Sequence, residues 1–281
     1  MRRTKHTNIP TQFITLITLC LCYGLTMYLS LAPAYAVPPP PQPYYIVDAY
    51  QTPGTVYKIQ NRTPGIFFKR RSGNISSIAV YTEQLFFCSA NDNRIYAKKI
   101  KGPERVVFEH NTYIRDVAVD PNGNLHFSEA SGAGDNGRIC KLSPRIGDLE
   151  SGDHFSISPE RAVSVYLKTV DRFWAGDFTF DARGDLYLSS GNRSPAFIYR
   201  VPKEEGGQYG PPRKLYKDAK GAIKGIAIDP SNSDFIYYAD WNQTIHKLNL
   251  RYLGRSREFS RNIAESGNPH LSDIAFDISP K

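Results

Sequence analysis

Three aspartates recur in one short context that is suited to chemistry. Asp116 opens DVAVD, Asp177 opens DFTFD and Asp273 opens DIAFD, each at the head of an apolar alternation. Two related segments open instead on Ser77 (SIAVY) and Gly225 (GIAID). A second column, Asp48, Ser89, Glu129, Ser190 and Asp240, closes aromatic-rich runs, 12 to 15 residues after the first column in the four copies that carry both. Carboxylates gathered round one axis would bind a divalent cation such as calcium through oxygen ligands. They would also raise one another's pKa, which suits a general base. On that reading Asp116, Asp177 and Asp273 are the metal ligands of a hydrolase or lyase. The plainer role for Asp48, Glu129 and Asp240 is to accept hydrogen bonds from backbone in a neighbouring turn. Trp241 directly follows Asp240, and Trp174 precedes Asp177. An exposed indole there would stack on a sugar or anchor a peptide, and a buried one would pack.

Other catalytic patterns are thin. The histidines are scattered without HxxxH or HxH spacing, and there is no GxSxG, Walker loop or CxxC. The glycine-rich GAGDNG (132–137) precedes no helix, so it does not read as a phosphate cradle.

The elements that must hold these acids repeat. The segments opening at Ser77, Asp116, Asp177, Gly225 and Asp273 are separated by 39, 61, 48 and 48 residues. Each has a small residue in mid-strand: Ala79, Ala118, Thr179, Ala227 and Ala275. Each complete copy continues with a tight turn, a second strand, a polar loop and a third strand. Fourth strands are expected at RVVFEH, AVSVYLK, RKLYKD and REFSRNI. Four strands per repeat of this length is the spacing of a β-propeller blade, with the small residues where innermost strands crowd the axis. The copy at Asp273 supplies only a first strand. YYIVDA, TVYKIQ and GIFFKR near the N-terminus read as the missing three, so one blade is shared by both ends of the domain. The expectation is an all-β propeller of five four-stranded blades. Six is the alternative, if the 61-residue interval hides degenerate strands.

The segment DVAVDPNGNLHFSEASGAGDNGRICKLS resembles an NHL repeat, as does the Asn-Arg-Ile of SANDNRIYA, while IYYADWNQTIHKLNL is similar to YWTD repeats of low-density lipoprotein receptor propellers. The resemblance covers residues 44–281 and implies the fold without fixing an activity. Gluconolactonase-like hydrolases are also similar in fold. They hold their metal through an Asn or Asp immediately before the Gly that opens an inner strand. The matching positions here are Ser76, Arg115, Gly176, Lys224 and Ser272, none a carboxylate.

Length and composition agree with one large β domain. The chain has 281 residues, 12% of them aromatic, and only two Met, a balance that favours strands and excludes a helical bundle. Arg2, Arg3 and Lys5, an uncharged apolar run and then APAYA read as a secretory signal peptide over residues 1–36. An uncleaved membrane anchor is the alternative. Residues 37–43 form a proline-rich spacer. Losing Arg2, Arg3 and Lys5 with the leader lowers the formal charge from +8 to +5. Basic clusters remain in FFKRR (67–71), AKKIKGPER (97–105) and RYLGRSR (251–257). They read as solvated edges kept from aggregating or as contacts for polyanions. Cys88 and Cys140 fall on different strands and are expected as separate buried thiols. The N-x-Ser/Thr sequons at Asn61, Asn74, Asn192 and Asn242 matter only where glycosylation occurs.

Taken together, the sequence predicts a secreted or periplasmic binding module. Its ligand would be a protein or glycan, held at a rim carrying Asp116, Glu129, Asp177, Asp240 and Trp241. No nucleic acid is expected, nor a membrane unless the leader stays attached, and the domain reads as a monomer. No cofactor is expected beyond the calcium-like cation of the metal reading.

Overall fold

The computed structural model describes residues 43–48, 52–89, 92–99, 102–130, 138–148, 154–163, 177–191, 195–218, 221–240, 244–251, 256–261 and 271–278. The leader, most of the proline-rich spacer, the 132–137 loop, Trp174, Gly176, Trp241 and the sequons at Asn192 and Asn242 lie outside them. Among the described residues the only helical turn is Ile146–Asp148, and no helix is long and apolar enough to cross a membrane.

Twenty strands carry the described chain. They are β1 (Tyr44–Asp48), β2 (Thr55–Gln60), β3 (Thr63–Lys69), β4 (Ser77–Tyr81), β5 (Gln84–Cys88), β6 (Arg94–Lys99) and β7 (Glu104–Glu109), followed by β8 (Tyr113–Val119), β9 (Leu125–Ala130), β10 (Arg138–Ser143) and β11 (Ser156–Val163). Then come β12 (Phe178–Phe180), β13 (Leu186–Ser189), β14 (Ala196–Val201), β15 (Arg213–Asp218), β16 (Ile223–Ile228), β17 (Phe235–Asp240), β18 (Thr244–Asn249), β19 (Ser256–Arg261) and β20 (Leu271–Ile278). Strands β8 to β11, β12 to β15 and β16 to β19 each form a four-stranded antiparallel sheet. The remaining eight form one sheet in the order β3-β2-β1-β20-β4-β5-β6-β7. It is two blades joined at their inner edges, where the end of β20 runs parallel to β4 (Asp277 opposite Val80).

The shared blade is formed as expected. Strand β20 pairs antiparallel with β1, setting Ile274 opposite Ile46 and Phe276 opposite Tyr44. The first strands β4, β8, β12, β16 and β20 each touch the next, and β20 touches β4, so the inner circuit closes. No open edge is left around the axis.

Burial follows distance from that axis. Strand β4 is buried at every residue, because its two faces meet neighbouring blades, whereas the outermost strands β3 and β15 are largely exposed. All five small mid-strand residues line the central cavity, which is about 30 Å³ in volume. Between blades the fillers are aromatic. Tyr237 meets Phe276 edge-on at 5.2 Å, and the His126 ring lies 4.8 Å from that of Phe180. A fully buried Phe of this kind contributes about 1.5–3 kcal/mol.

The recurrent Asp that ends the first strand organises the turn. Asp120 Oδ1 accepts the N–H groups of Asn122 and Asn124, and Asp181 Oδ1 accepts those of Arg183 and Asp185. Gly123 sits at φ +76°, and a Cβ there would lie 2.7 Å from the Tyr81 hydroxyl. Only glycine meets both demands.

One outer strand differs from its expected place. AVSVYLK was expected as the fourth strand of the second repeat, but β11 is Ser156–Val163, pairing Ser156 with Ser143 and Val163 with Ile139. Its sequence, SISPERAV, lacks alternation and contains Pro159, which an outermost strand tolerates because one of its edges makes no ladder bonds. Of residues 147–170, where degenerate strands were the alternative, 149–153 and 164–170 lie outside the described residues. Cys88 and Cys140 are buried and form no disulfide.

Candidate functional site

The inner strands bring Asp116, Asp177 and Asp273 to one end of the channel. There they serve as ties between blades. Asp116 Oδ2 on β8 accepts the Phe178 N–H of β12 at 2.6 Å. Asp273 Oδ2 on β20 accepts the Ile78 N–H of β4 at 2.8 Å. Ser77 Oγ on β4 accepts the Val117 N–H of β8 at 3.0 Å and donates its own proton to Asp116 Oδ1. In each case the residue that opens one repeat segment holds the N–H of the second residue of a neighbouring segment. Gly225 provides no such tie, for a Cβ there would sit 2.3 Å from the Asp273 Cα. The Ile274 N–H instead goes to Asp273 Oδ1 at 2.7 Å.

Asp177 differs from its two counterparts. Its N–H donates to Ser189 Oγ at 3.2 Å, and its carbonyl accepts the Ser189 N–H at 2.9 Å. Its Oδ2 is buried without a hydrogen bond. Burial raises the pKa of Asp177, against the opposing charges of Arg115 and Lys224. Asp116 and Asp273 are raised well above the usual carboxylate range, first by burial and then by the neighbouring acids, Asp177 acting on Asp116 and both Asp116 and Asp177 on Asp273. Burial lowers the pKa of Lys224, with Asp177 acting the other way. The mouth is therefore an acid trio partly balanced by two half-buried cations.

The second column is also internal. Glu129 Oε1 lies 3.2 Å from His110 Nε2. Asp240 accepts the Thr244 N–H at 3.0 Å, and its other oxygen is 2.9 Å from His246 Nε2. Ser190 Oγ accepts the Phe197 N–H at 2.8 Å, Ser89 donates to Asn74 Oδ1 at 2.8 Å, and Asp48 is buried. The acids expected at the rim are thus all withdrawn from solvent: Asp116 is 1% exposed, Glu129 3%, Asp177 6% and Asp240 8%. Trp241 lies outside the described residues.

The metal reading meets a donor problem. Both oxygens of Asp116 and both of Asp273 already take hydrogen bonds from the protein. Among the described residues no three His, Cys, Asp or Glu converge as ligands. The cavity of about 30 Å³ has room for a water or two, far below the 300–1,000 Å³ typical of small-molecule sites.

Sequence reasoning placed the acid column but missed its balance. Arg115 and Lys224 stood out only as positions that fail to match a hydrolase metal site. Their spacing, one residue ahead of the column at Asp116 and Gly225, was the available signal.

No family model and no curated protein matches the sequence. Solved structures do. A chain in the crystal structure of a nidogen/laminin complex aligns over 85% of this chain and 100% of its own, at 12% identity and TM-score 0.52. A gluconolactonase from Xanthomonas campestris aligns over 85% and 77% of the two chains, at 13% identity and TM-score 0.51. The chain is a β-propeller. A luciferin-regenerating enzyme gives a similar match, over 83% of this chain and 78% of its own, at 14% identity and TM-score 0.51. At such identities the likeness carries the fold alone. Propellers of this kind include binding proteins and enzymes, and the likeness to NHL repeats remains one of sequence pattern.

Proposed function

We propose that this propeller is an exported binding module that engages a partner protein at the channel mouth and does not turn over a substrate inside the channel. The observation that carries this reading is the use of the inner acids as ties between blades, around a cavity of about 30 Å³. A gluconolactonase shares the fold, but here the cavity is small and both oxygens of Asp116 and of Asp273 already take hydrogen bonds from the protein, which speaks against metal-assisted hydrolysis. Contact with a partner falls to the half-buried Arg115 and Lys224 beside Asp177, with Trp241 as the aromatic anchor.

The test has two arms. Metal content and thermal melts with and without EDTA should show no stoichiometric cation and no change in melting. One cation per chain with a chelator-sensitive melt would overturn the reading and return the acids to a ligand role. In the second arm, a partner cross-linked to wild type should be lost on Trp241→Ala and on Lys224→Ala, with both variants folded. Partners retained by both variants would refute a mouth interface.

A further inference from the structure

The outer margin of the ring carries a feature unrelated to the channel. A cleft of about 580 Å³ lies between β3 and β7, the two edge strands of the eight-stranded sheet. It is walled by Lys69, Arg70 and Arg71 from one blade and by Lys98, Glu104 and Arg105 from the next. Two basic segments more than twenty-five residues apart in the chain, each readable alone as a solvated edge, therefore face one space. Five cations stand against one acid.

The cleft is braced. Arg70 is 8% exposed, and its guanidinium stacks 4.2 Å from the centre of the Tyr96 ring. Its Nε donates to Glu104 at 3.0 Å, and Nη1 donates to the Asn74 carbonyl at 3.1 Å. Lys98 donates to the Gly102 carbonyl and lies 5.8 Å from the Phe68 ring centre. These contacts fix the floor, while Lys69 and Arg71 are exposed at its lip.

We infer that this inter-blade cleft binds an acidic segment of a partner protein, with carboxylates seated against Lys69, Arg71 and Arg105. Charge complementarity supplies the first argument, since a cleft lined mainly by one sign of charge concentrates its field. Guanidinium forks match carboxylates well. The second argument is the carboxylate already seated in the cleft, Glu104 on Arg70. It shows the geometry accepted there, and its charge opposes a densely sulfated or phosphorylated polymer. Third, the aromatic rings of the wall are covered by the chain's own cations, so they offer no stacking platform to a sugar. The volume falls within the range of pockets that take a compact ligand. This site is separate from the channel mouth and stands whether or not the mouth binds a partner.

The experiment uses the full chain and a fluorescein-labelled short peptide of alternating Glu and Ser, followed by anisotropy. A Gln/Ser peptide is the neutral probe and a heparin-derived oligosaccharide is the competitor. The variant Lys69→Glu/Arg71→Glu alters only exposed residues. Arg213→Glu/Lys217→Glu changes the net charge equally on an exposed outer strand elsewhere. The expected result is binding of the Glu peptide that weakens with salt, falls about tenfold or more in the first double variant, and is unchanged in the second. The Gln peptide should not bind. Equal loss in both variants would reduce the effect to net charge and overturn the proposal. So would no binding at low salt. Tighter binding of the oligosaccharide, lost in the first variant alone, would give the cleft to a glycan and also overturn it.

Discussion

Asp116 and Asp273 are both buried carboxylates at the channel mouth, yet replacing each with Asn should have unequal effects. Asp116 accepts one backbone N–H, from Phe178, and one hydroxyl proton, from Ser77. An Asn there keeps the Phe178 bond on its oxygen, and its amide donates to Ser77 Oγ while the serine hydroxyl turns away. The Phe178 bond survives, an amide-to-hydroxyl bond replaces the hydroxyl-to-carboxylate one, and a charge is removed from beside Asp177 and Asp273. Relief of one buried like-charge pair is on the order of 1–2 kcal/mol. Asp273 accepts two backbone N–H groups, from Ile78 and Ile274, which cannot reverse. An amide nitrogen there faces a donor, and losing that bond costs about 1–3 kcal/mol, against a similar gain from the lost charge. The sign of the pH effect follows from the raised pKa of Asp116. A carboxyl whose folded pKa exceeds its unfolded value contributes stability that is complete below about pH 4 and is lost as pH rises through the folded pKa. Asp116→Asn should therefore come closest to wild type at pH 4 and exceed it at pH 8, by roughly 4 °C in melting temperature for a domain of this size. Asp273→Asn should melt below Asp116→Asn at both pH values. The assay is thermal melting of the purified protein at the two pH values and constant ionic strength. Equal effects of the two variants, or a pH 8 melt for Asp116→Asn below wild type, would refute the account of these acids as directional ties.

Two further outcomes test the packing. Gly225→Ala places a Cβ against the backbone of β20, so it should lower stability by about 1–3 kcal/mol; a melt within a degree of wild type would show that the inner strands can separate freely. His126 is buried beside Asp120, and burial lowers its pKa against the pull of that carboxylate. A depressed histidine contributes stability that is present above its unfolded pKa of about 6.5 and is lost as pH falls from there through its lower folded pKa. His126→Gln should flatten the decline in melting temperature between pH 7 and pH 5, and an unchanged slope would place the acid sensitivity elsewhere.

The radial order of the blades was legible because it is written locally. A fully buried alternation with a small centre, as in SIAVY or DVAVD, marks an inner strand, and the Asp that follows it marks a turn it will cap. Outer strands were legible only where alternation survives half exposure, as in RKLYKD but not in SISPERAV. The acids at the mouth were legible as a column, while their function as ties was not. Which N–H each one meets depends on the neighbouring blade, so Asp116 and Phe178, 62 positions apart, become partners only once the chain between them has folded. The outer cleft was hidden for the same reason. FFKRR and AKKIKGPER belong to different blades and face each other only because β20 sews those blades together.

That seam has a consequence in time. Ile78 and Asp273 are 195 residues apart in the chain, and β20 is the inner partner of both β1 and β4. A chain emerging N-terminus first presents β1 to β3 long before the strand that completes their blade. Until residues 271–278 arrive, β1 has an open edge and the circuit has a gap. Long-range closure of this kind slows folding and leaves that edge available to a second copy. The vulnerable period of this protein is thus the interval in which every repeat but the last has been delivered.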